Sequence, residues 1–209
     1  MDNKKLTPIL LFDLGGVIMS IDRMKAVEAF KSLGMADADS FFDPYEQRGA
    51  FGLLEAGRIT TAQFHDEVRP QFRPGVSDDE IDEGLCKFLL GIPSERLERL
   101  AELRRKGYKV YMLSNTNPIM WDRYIIPEFR KLGGELSDYF DGVVTSFEAG
   151  VCKPDARIYE YAVKKLGIDP AKTTFFDDGP ANVEAARALG FNALHVTAAD
   201  DMLKLTSDA

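Results

Sequence analysis

The chain alternates short apolar runs with amphipathic segments over most of its length. Residues 9–12 are apolar without polar alternation, which is typical of a parallel strand buried on both faces. Similar runs predict further strands at residues 108–113, 143–146, 173–176 and 193–196. From residue 94 onwards the runs alternate with helical segments, so the pattern predicts a parallel sheet with helices packed on it.

The helical segments between these strands have recognisable ends. The first is predicted to start with Ser94 as its cap and to stop at Gly107, after a basic last turn. The second is predicted from a capping Asp155 to Gly167, and the third begins near Pro180. Each segment is long enough to cross from one parallel strand to the next.

Residues 20–92 have a different pattern, with helical periodicity and no convincing strand. Helices are predicted there at residues 22–33, 47–56, 61–68 and 77–90. We therefore predict a three-layer, Rossmann-like α/β core formed by residues 1–19 and 93–209. Residues 20–92 would be a helical cap inserted after the first strand.

The composition limits the cellular compartment and the classes of partner expected for this protein. Its 209 residues include 26 basic and 34 acidic side chains, and the net charge of −8 argues against nucleic acid as a main partner. Cys86 and Cys152 form neither a disulfide framework nor a metal-binding spacing, which fits the reducing cytoplasm. No apolar run approaches the roughly 20 residues of a membrane helix. We expect a cytoplasmic protein without a membrane partner; the pattern predicts no oligomeric state.

Polar residues follow three of the predicted strands, at the sheet edge where open α/β proteins bind ligands. Asp13 and Asp178 each come after a buried strand, and converging carboxylates are costly to bury without a cation between them. Oxygen ligands suit Mg²⁺. Asp177 should point away from Asp178 if the chain is extended, so we expect Asp178 to be the ligand and Asp177 to orient its neighbours.

Two further stretches could complete an anion site at this edge. Ser114 and Asn115 end the second core strand and could hold the oxygens of an anion. Lys153 could offset the negative charge of the carboxylates and of the anion. Each residue also has a simpler explanation, since Asp, Ser and Asn are common in turns and most lysines are solvated.

Four stretches in this order give the sequence a specific resemblance: FDLGGV, YMLSNT, CKPDARIY and FFDDGPANVEAA. The chain resembles the haloacid dehalogenase superfamily of aspartate-nucleophile hydrolases. Within it, the chain is most similar to sugar-phosphate phosphatases of the glucose-1-phosphatase type and to the N-terminal phosphatase domain of soluble epoxide hydrolase. The stretch LEAGRIT at residues 54–60 contributes to this narrower match.

The resemblance implies Mg²⁺-dependent hydrolysis of a small phosphorylated metabolite, for instance an anomeric hexose phosphate. Asp13 would be the nucleophile that forms a phospho-aspartate, and a metal ligand together with Asp178 and the backbone carbonyl of Gly15. The resemblance further implies that Ser114 and Asn115 bind phosphoryl oxygens, that Lys153 neutralises charge, and that Asn182 orients Asp178 or Lys153. The cap would close over the site and bind the leaving group.

One position departs from the pattern of this superfamily. Many of its phosphatases carry a second aspartate, which acts as acid and base, where this chain has Gly15. The enzyme could favour a good leaving group, or another residue could supply the proton, with Asp22, Glu55 and His65 as candidates. A 2-haloacid dehalogenase needs no such proton, but Asp178 argues for the metal-using branch. A non-catalytic small-anion-binding protein is a fourth hypothesis.

Aromatic residues of the predicted cap could line a specificity pocket or pack the core of the cap itself. They are Phe41, Phe42, Tyr45, Phe51 and Phe64.

Overall fold

A five-stranded parallel sheet lies at the centre of the fold. The computed structural model describes residues 6–42, 49–197, 201–207 and 209. The strands of these residues are β1 (Ile9–Phe12), β2 (Ser20–Ile21), β3 (Leu89–Gly91), β4 (Lys109–Ser114), β5 (Gly142–Thr145), β6 (Thr173–Asp177) and β7 (Asn192–His195). The sheet order is β5-β4-β1-β6-β7, and each neighbouring pair is parallel. The predicted parallel sheet is confirmed, and its strand bounds agree to within one residue.

Helices connect the strands and cover the sheet. In the described residues they are α1 (Arg23–Ser32), α2 (Ala38–Phe41), α3 (Gly49–Glu55), α4 (Thr61–Val68), α5 (Asp78–Cys86), α6 (Ser94–Arg105), α7 (Pro118–Met120), α8 (Ile126–Lys131), α9 (Leu136–Tyr139), α10 (Ser146–Ala149), α11 (Ala156–Leu166), α12 (Pro180–Ala188) and α13 (Met202–Leu205). A π-helical turn, Trp121–Ile125, joins α7 to α8.

Both faces of the sheet are buried, which explains why its strands lack polar alternation. Leu10 and Phe12 of β1 pack into one apolar cluster, whereas Leu11 between them packs into a second cluster on the opposite face. The ring of Phe12 stacks on Phe176 of the neighbouring β6, with 4.5 Å between the ring centroids. This arrangement confirms the predicted three-layer α/β fold.

Residues 20–92 are largely helical, but the prediction that they contain no strand is wrong. The helix predicted at residues 77–90 ends at Cys86, and Leu89–Gly91 forms β3, which pairs antiparallel with β2. Strands of two and three residues are too short to produce a periodic pattern, and their pairing partner lies far away in sequence. The sequence also gave no indication of α2. The division into core and cap stays a prediction.

The helix caps agree with the sequence in part. Asp155 caps α11 by accepting a hydrogen bond from Arg157 N–H, and Gly167 ends the helix. Ser94 is the first residue of α6 rather than its cap, because Pro93 occupies the cap position and accepts the N–H of Arg96. No helix of the described residues has both the length and the apolar character needed to cross a membrane.

Candidate active site

Asp13 lies at the carboxyl end of β1, in the middle of the sheet, and is 7% exposed. Its backbone N–H donates to the carbonyl of Phe176 at 2.8 Å, which continues the strand pairing by one residue. Its Oδ1 accepts hydrogen bonds from the Leu14 N–H at 2.7 Å and from Lys153 Nζ at 2.8 Å. These contacts fix the orientation of the carboxylate, while Oδ2 accepts no hydrogen bond from the described residues.

Lys153 is 2% exposed and its ammonium is fully paired. Nζ lies 2.8 Å from Asp13 Oδ1 and 2.6 Å from Asp177 Oδ2, and it donates to the carbonyl of Leu113 at 3.1 Å. Burial by itself lowers the pKa of this lysine, but the charges of Asp13 and Asp177 outweigh it and raise the pKa above its ordinary value. Lys153 is therefore a buried, charged group.

Asn115 positions the backbone of Lys153. Its Oδ1 accepts the Lys153 N–H at 2.8 Å, and its Nδ2 donates to the Lys153 carbonyl at 3.0 Å. The second N–H of Nδ2 is not used in this contact, and Asn115 lines the cavity described below, so its binding of phosphoryl oxygens stays a prediction. Ser114 is 2% exposed, and its hydroxyl donates to the Asn115 carbonyl at 3.3 Å.

Asp177 and Asp178 do not separate as the sequence predicted. Each of Asp13, Asp177 and Asp178 offers one carboxylate oxygen, and these oxygens all lie within 4.8 Å of one another. Strand β6 ends at Asp177, so Asp178 lies in the turn before α12, where side chains no longer alternate between the two faces of a sheet.

Asp177 is held more firmly than its neighbour. Its Oδ1 accepts the N–H of Gly179 and the Nδ2 of Asn182, each at 2.8 Å, and its Oδ2 pairs with Lys153. Asn182 thus orients Asp177, and not Asp178 or Lys153 as predicted. The Asp178 carboxylate accepts no side-chain hydrogen bond from the described residues, so it has free oxygen lone pairs.

Gly16 makes the approach of Asp178 possible. Its φ of +72° lies in the left-handed region, and a Cβ at this position would lie 2.1 Å from Asp178 Oδ2. A side chain at position 16 would therefore displace the carboxylate from the other two acids.

The charges of the cluster do not balance within the protein. When all three carboxyl groups are ionised, they exceed the one ammonium by two negative charges. Burial raises the pKa of Asp13 to about 8; Lys153 lowers it, and Asp177 and Asp178 raise it further. Burial and the charge of Asp177 also raise the pKa of Asp178. A divalent cation would remove this imbalance, and carboxylate oxygens at this spacing fit the ligand chemistry of Mg²⁺.

A cavity of about 490 Å³ opens above this cluster. Its floor is formed by residues after the core strands, among them Asp13, Gly15, Ser114, Asn115, Asp178 and Asn182. Its walls are mainly apolar and come largely from residues 20–92: Ile21, Phe42, Phe51, Phe88 and Leu89, with Arg23 and Glu55. Only some of the predicted aromatic residues line this cavity. Phe42 and Phe51 do so, whereas Phe64 packs on Phe41 outside the lining, and Tyr45 lies outside the described residues.

The three alternative proton donors occupy different places. Asp22 caps α1 by accepting the Met24 N–H at 2.9 Å. His65 is buried and lies 2.7 Å from Asp82 Oδ1, away from the cavity lining. Glu55 is 7% exposed and lines the cavity. Among the candidates, Glu55 alone shares the cavity with Asp13.

Thr116 is a cavity residue that the sequence did not single out. It is 3% exposed, and its hydroxyl has no hydrogen-bond partner in the described residues. Its backbone is fixed by Ser146, whose Oγ accepts the Thr116 N–H at 3.0 Å and donates to the Thr116 carbonyl at 2.9 Å. A buried, unpaired hydroxyl in the lining of this cavity can bind a substrate oxygen. In the sequence, its position two residues after Ser114 was the one feature that could have indicated a role for Thr116 at this site.

Comparison with known proteins gives consistent matches over most of the chain. A model of the haloacid dehalogenase-like hydrolase family matches residues 7–190. The chain is 37% identical over 182 residues to the D-ribitol-5-phosphate phosphatase of Bacteroides thetaiotaomicron, covering 87% of this chain and 88% of that protein. It is 35% identical over 194 residues to a phosphatase of Mycobacterium tuberculosis, covering 88% of this chain and 84% of the other.

A solved structure gives a similar result. The structure of an HAD family enzyme from Bacteroides thetaiotaomicron, in complex with magnesium and inorganic phosphate, matches this chain with a TM-score of 0.87 at 34% identity. The match covers 97% of this chain and 100% of that chain.

Proposed function

We propose, since this chain belongs to the haloacid dehalogenase-like hydrolase family, that it is a phosphatase acting on a small sugar phosphate. Relatives matched over most of their length are phosphatases, and one of them is a D-ribitol-5-phosphate phosphatase. The observation that carries the proposal is the cluster of Asp13, Lys153 and Asp178 on the floor of the cavity.

Magnesium is the cofactor of this activity. Asp13 and Asp178 would hold the ion through carboxylate oxygens, together with the backbone carbonyl of Gly15. The carboxylate spacing, the two unbalanced negative charges and the magnesium in the similar structure support this assignment. When bound, Mg²⁺ neutralises negative charge on the phosphoryl oxygens of the substrate.

The protein residues would carry out the transfer in two steps. A carboxylate oxygen of Asp13 attacks phosphorus, the bond from phosphorus to the leaving-group oxygen breaks, and a phospho-aspartate forms. Water then attacks phosphorus, which releases inorganic phosphate and restores the carboxylate. Lys153 and the Leu14 N–H hold the attacking group in one orientation. The hydroxyls of Ser114 and Thr116 would bind phosphoryl oxygens.

The size of the cavity fits a sugar phosphate as the substrate. Its volume of about 490 Å³ is within the range of small-molecule sites and admits a pentitol or hexose phosphate. Arg23 and Glu55 are polar groups on an otherwise apolar wall, where they could bind hydroxyl groups of the substrate. We infer that the wall formed by residues 20–92 selects among sugar phosphates.

Phosphate release from a panel of phosphomonoesters tests the proposed function. We expect release from pentitol and hexose phosphates with Mg²⁺, and loss of release in excess EDTA that added Mg²⁺ reverses. Chloride release from 2-chloropropionate, unaffected by EDTA, would instead support the dehalogenase alternative. Absence of turnover in both assays would support an anion-binding protein.

A further inference from the structure

The proposed reaction lacks a residue that protonates the leaving group. An alkoxide is a poor leaving group, and a positioned acid speeds its departure by about 10²- to 10⁴-fold. Position 15, two residues after Asp13, is glycine and offers no acid. A Cβ at Gly15 would lie 3.5 Å from the nearest neighbouring atom, a side-chain carbon of Ile21, so glycine is not required there for reasons of space.

Few ionisable groups face the cavity. Among the described residues, its lining contains Asp13, Arg23, Glu55 and Asp178. Asp13 and Asp178 belong to the phosphoryl-transfer cluster, and an arginine does not release its proton in proteins. Glu55 is the remaining group that can both donate and accept a proton.

The backbone that follows Glu55 is held against the segment that precedes Lys153. It is the last residue of α3, and the following turn passes through Gly57, whose φ is +60°. A Cβ on Gly57 would lie 2.2 Å from the carbonyl oxygen of Phe147, so the two backbones are in direct contact. Arg58 Nε donates to the carbonyl of Gly150 at 2.9 Å. The turn after Glu55 is thus attached to the loop that leads to Lys153.

The environment of Glu55 keeps both of its protonation states accessible. Its carboxyl makes no hydrogen bond to the described residues, and burial raises its pKa to about 7, although the charge of Lys153 lowers it. The other charged and titratable groups near it are Cys152 and Arg58 at the loop and turn. The lining of the same cavity adds Arg23, Asp13 and Asp178. At neutral pH the group is divided between acid and carboxylate.

We propose that Glu55 is the general acid that protonates the leaving-group oxygen. This inference rests on the proposed phosphatase function. As the bond from phosphorus to oxygen breaks, the Glu55 proton moves to the departing oxygen and an alcohol leaves. Glu55, now a carboxylate, then takes a proton from the water that attacks the phospho-aspartate, so one turnover restores its starting state.

The test compares two leaving groups in Glu55→Gln, which keeps the shape and removes the acid. For an alkyl substrate such as a pentitol phosphate, we expect kcat/KM to fall about 10²-fold or more. For p-nitrophenyl phosphate, whose leaving group needs no proton, we expect a much smaller decrease. Glu67→Gln, an exposed glutamate of α4, is the matched control and should behave like the wild type with both substrates.

Two further measurements separate catalysis from structure. In the wild type, kcat/KM for the alkyl substrate should decrease as the pH rises above about 7, because the acid form is lost, and this decrease should be absent in Glu55→Gln. Glu55→Asp, which keeps the acid one methylene further back, should recover part of the alkyl activity. Circular dichroism verifies that each variant is folded.

The possible outcomes distinguish the two proposals. A wild-type enzyme that hydrolyses neither substrate overturns the proposed function and this inference with it. An active wild type combined with equal losses on both substrates in Glu55→Gln overturns the role of Glu55 alone. Full alkyl activity of Glu55→Gln has the same consequence.

Discussion

The floor and the wall of the cavity are built in different ways. On the floor, Asp13 directly follows strand β1. Lys153 lies in a loop whose backbone is held by Asn115, the residue after β4. The wall comes mainly from residues 20–92, where a cluster of phenylalanines around Phe30 and Phe42 holds the helices together. The floor therefore depends on backbone geometry and hydrogen bonds, and the wall on side-chain packing. Nucleophilic attack and substrate selectivity can then change separately.

Asp13→Asn tests the floor most directly. An amide has nearly the shape of a carboxylate but is not a nucleophile, so we expect kcat to fall by at least about 10⁴-fold while the fold is kept. Phosphate release and circular dichroism are the measurements. Asp66→Asn on the exposed face of α4 is the control. Wild-type turnover of Asp13→Asn would exclude the covalent mechanism.

Lys153→Met tests whether the floor is also a structural unit. Removal of the ammonium leaves Asp13 and Asp177 buried without their cation, so we expect the free energy of unfolding to decrease by about 3–5 kcal/mol. Denaturant titration measures the change. Lys172→Met, at a side chain that is 70% exposed, should change it little. Equal stability of the two variants would contradict the buried pairing.

Glu55→Gln tests the charge carried by the wall through the pH dependence of stability. The pKa of Glu55 is raised from an ordinary 4.5 to about 7. The contribution of its neutral form to the free energy of unfolding is therefore fully present below pH 4.5 and is lost as the pH rises through about 7. We expect the variant to gain on the wild type by up to about 3 kcal/mol between pH 4.5 and pH 8. Denaturant titrations at both values measure the gain, and an unchanged difference would show that Glu55 is not desolvated.

Phe51→Leu tests whether wall packing sets selectivity. Phe51 lines the cavity and contacts Phe42, with 5.3 Å between the ring centroids. We expect the ratio of kcat/KM between two sugar phosphates to change about 10-fold. Phe64→Leu, in the same aromatic cluster but outside the cavity lining, should lower stability without changing that ratio. Equal ratios in both variants would exclude Phe51 from substrate recognition.

Local sequence patterns predicted most elements of the α/β core but few of the contacts between residues that are distant in sequence. The core strands and α11 with its Asp155 cap were predicted because their signals lie within the segments themselves. The β2–β3 pair was missed, since pairing across the insertion leaves no periodic signal. Asn182 was assigned the wrong partner for a similar reason, because its contact with Asp177 depends on how the turn before α12 is folded.

Gly16 has a consequence for how this protein tolerates mutation. In a library of random variants, substitutions at position 16 should inactivate the enzyme about as often as those at position 13, although glycine contributes no reactive group. The cause would be spatial exclusion, because any larger residue occupies the volume of an Asp178 oxygen. A position that tolerates no substitution can therefore mark space that no side chain may fill, and not only a residue that reacts.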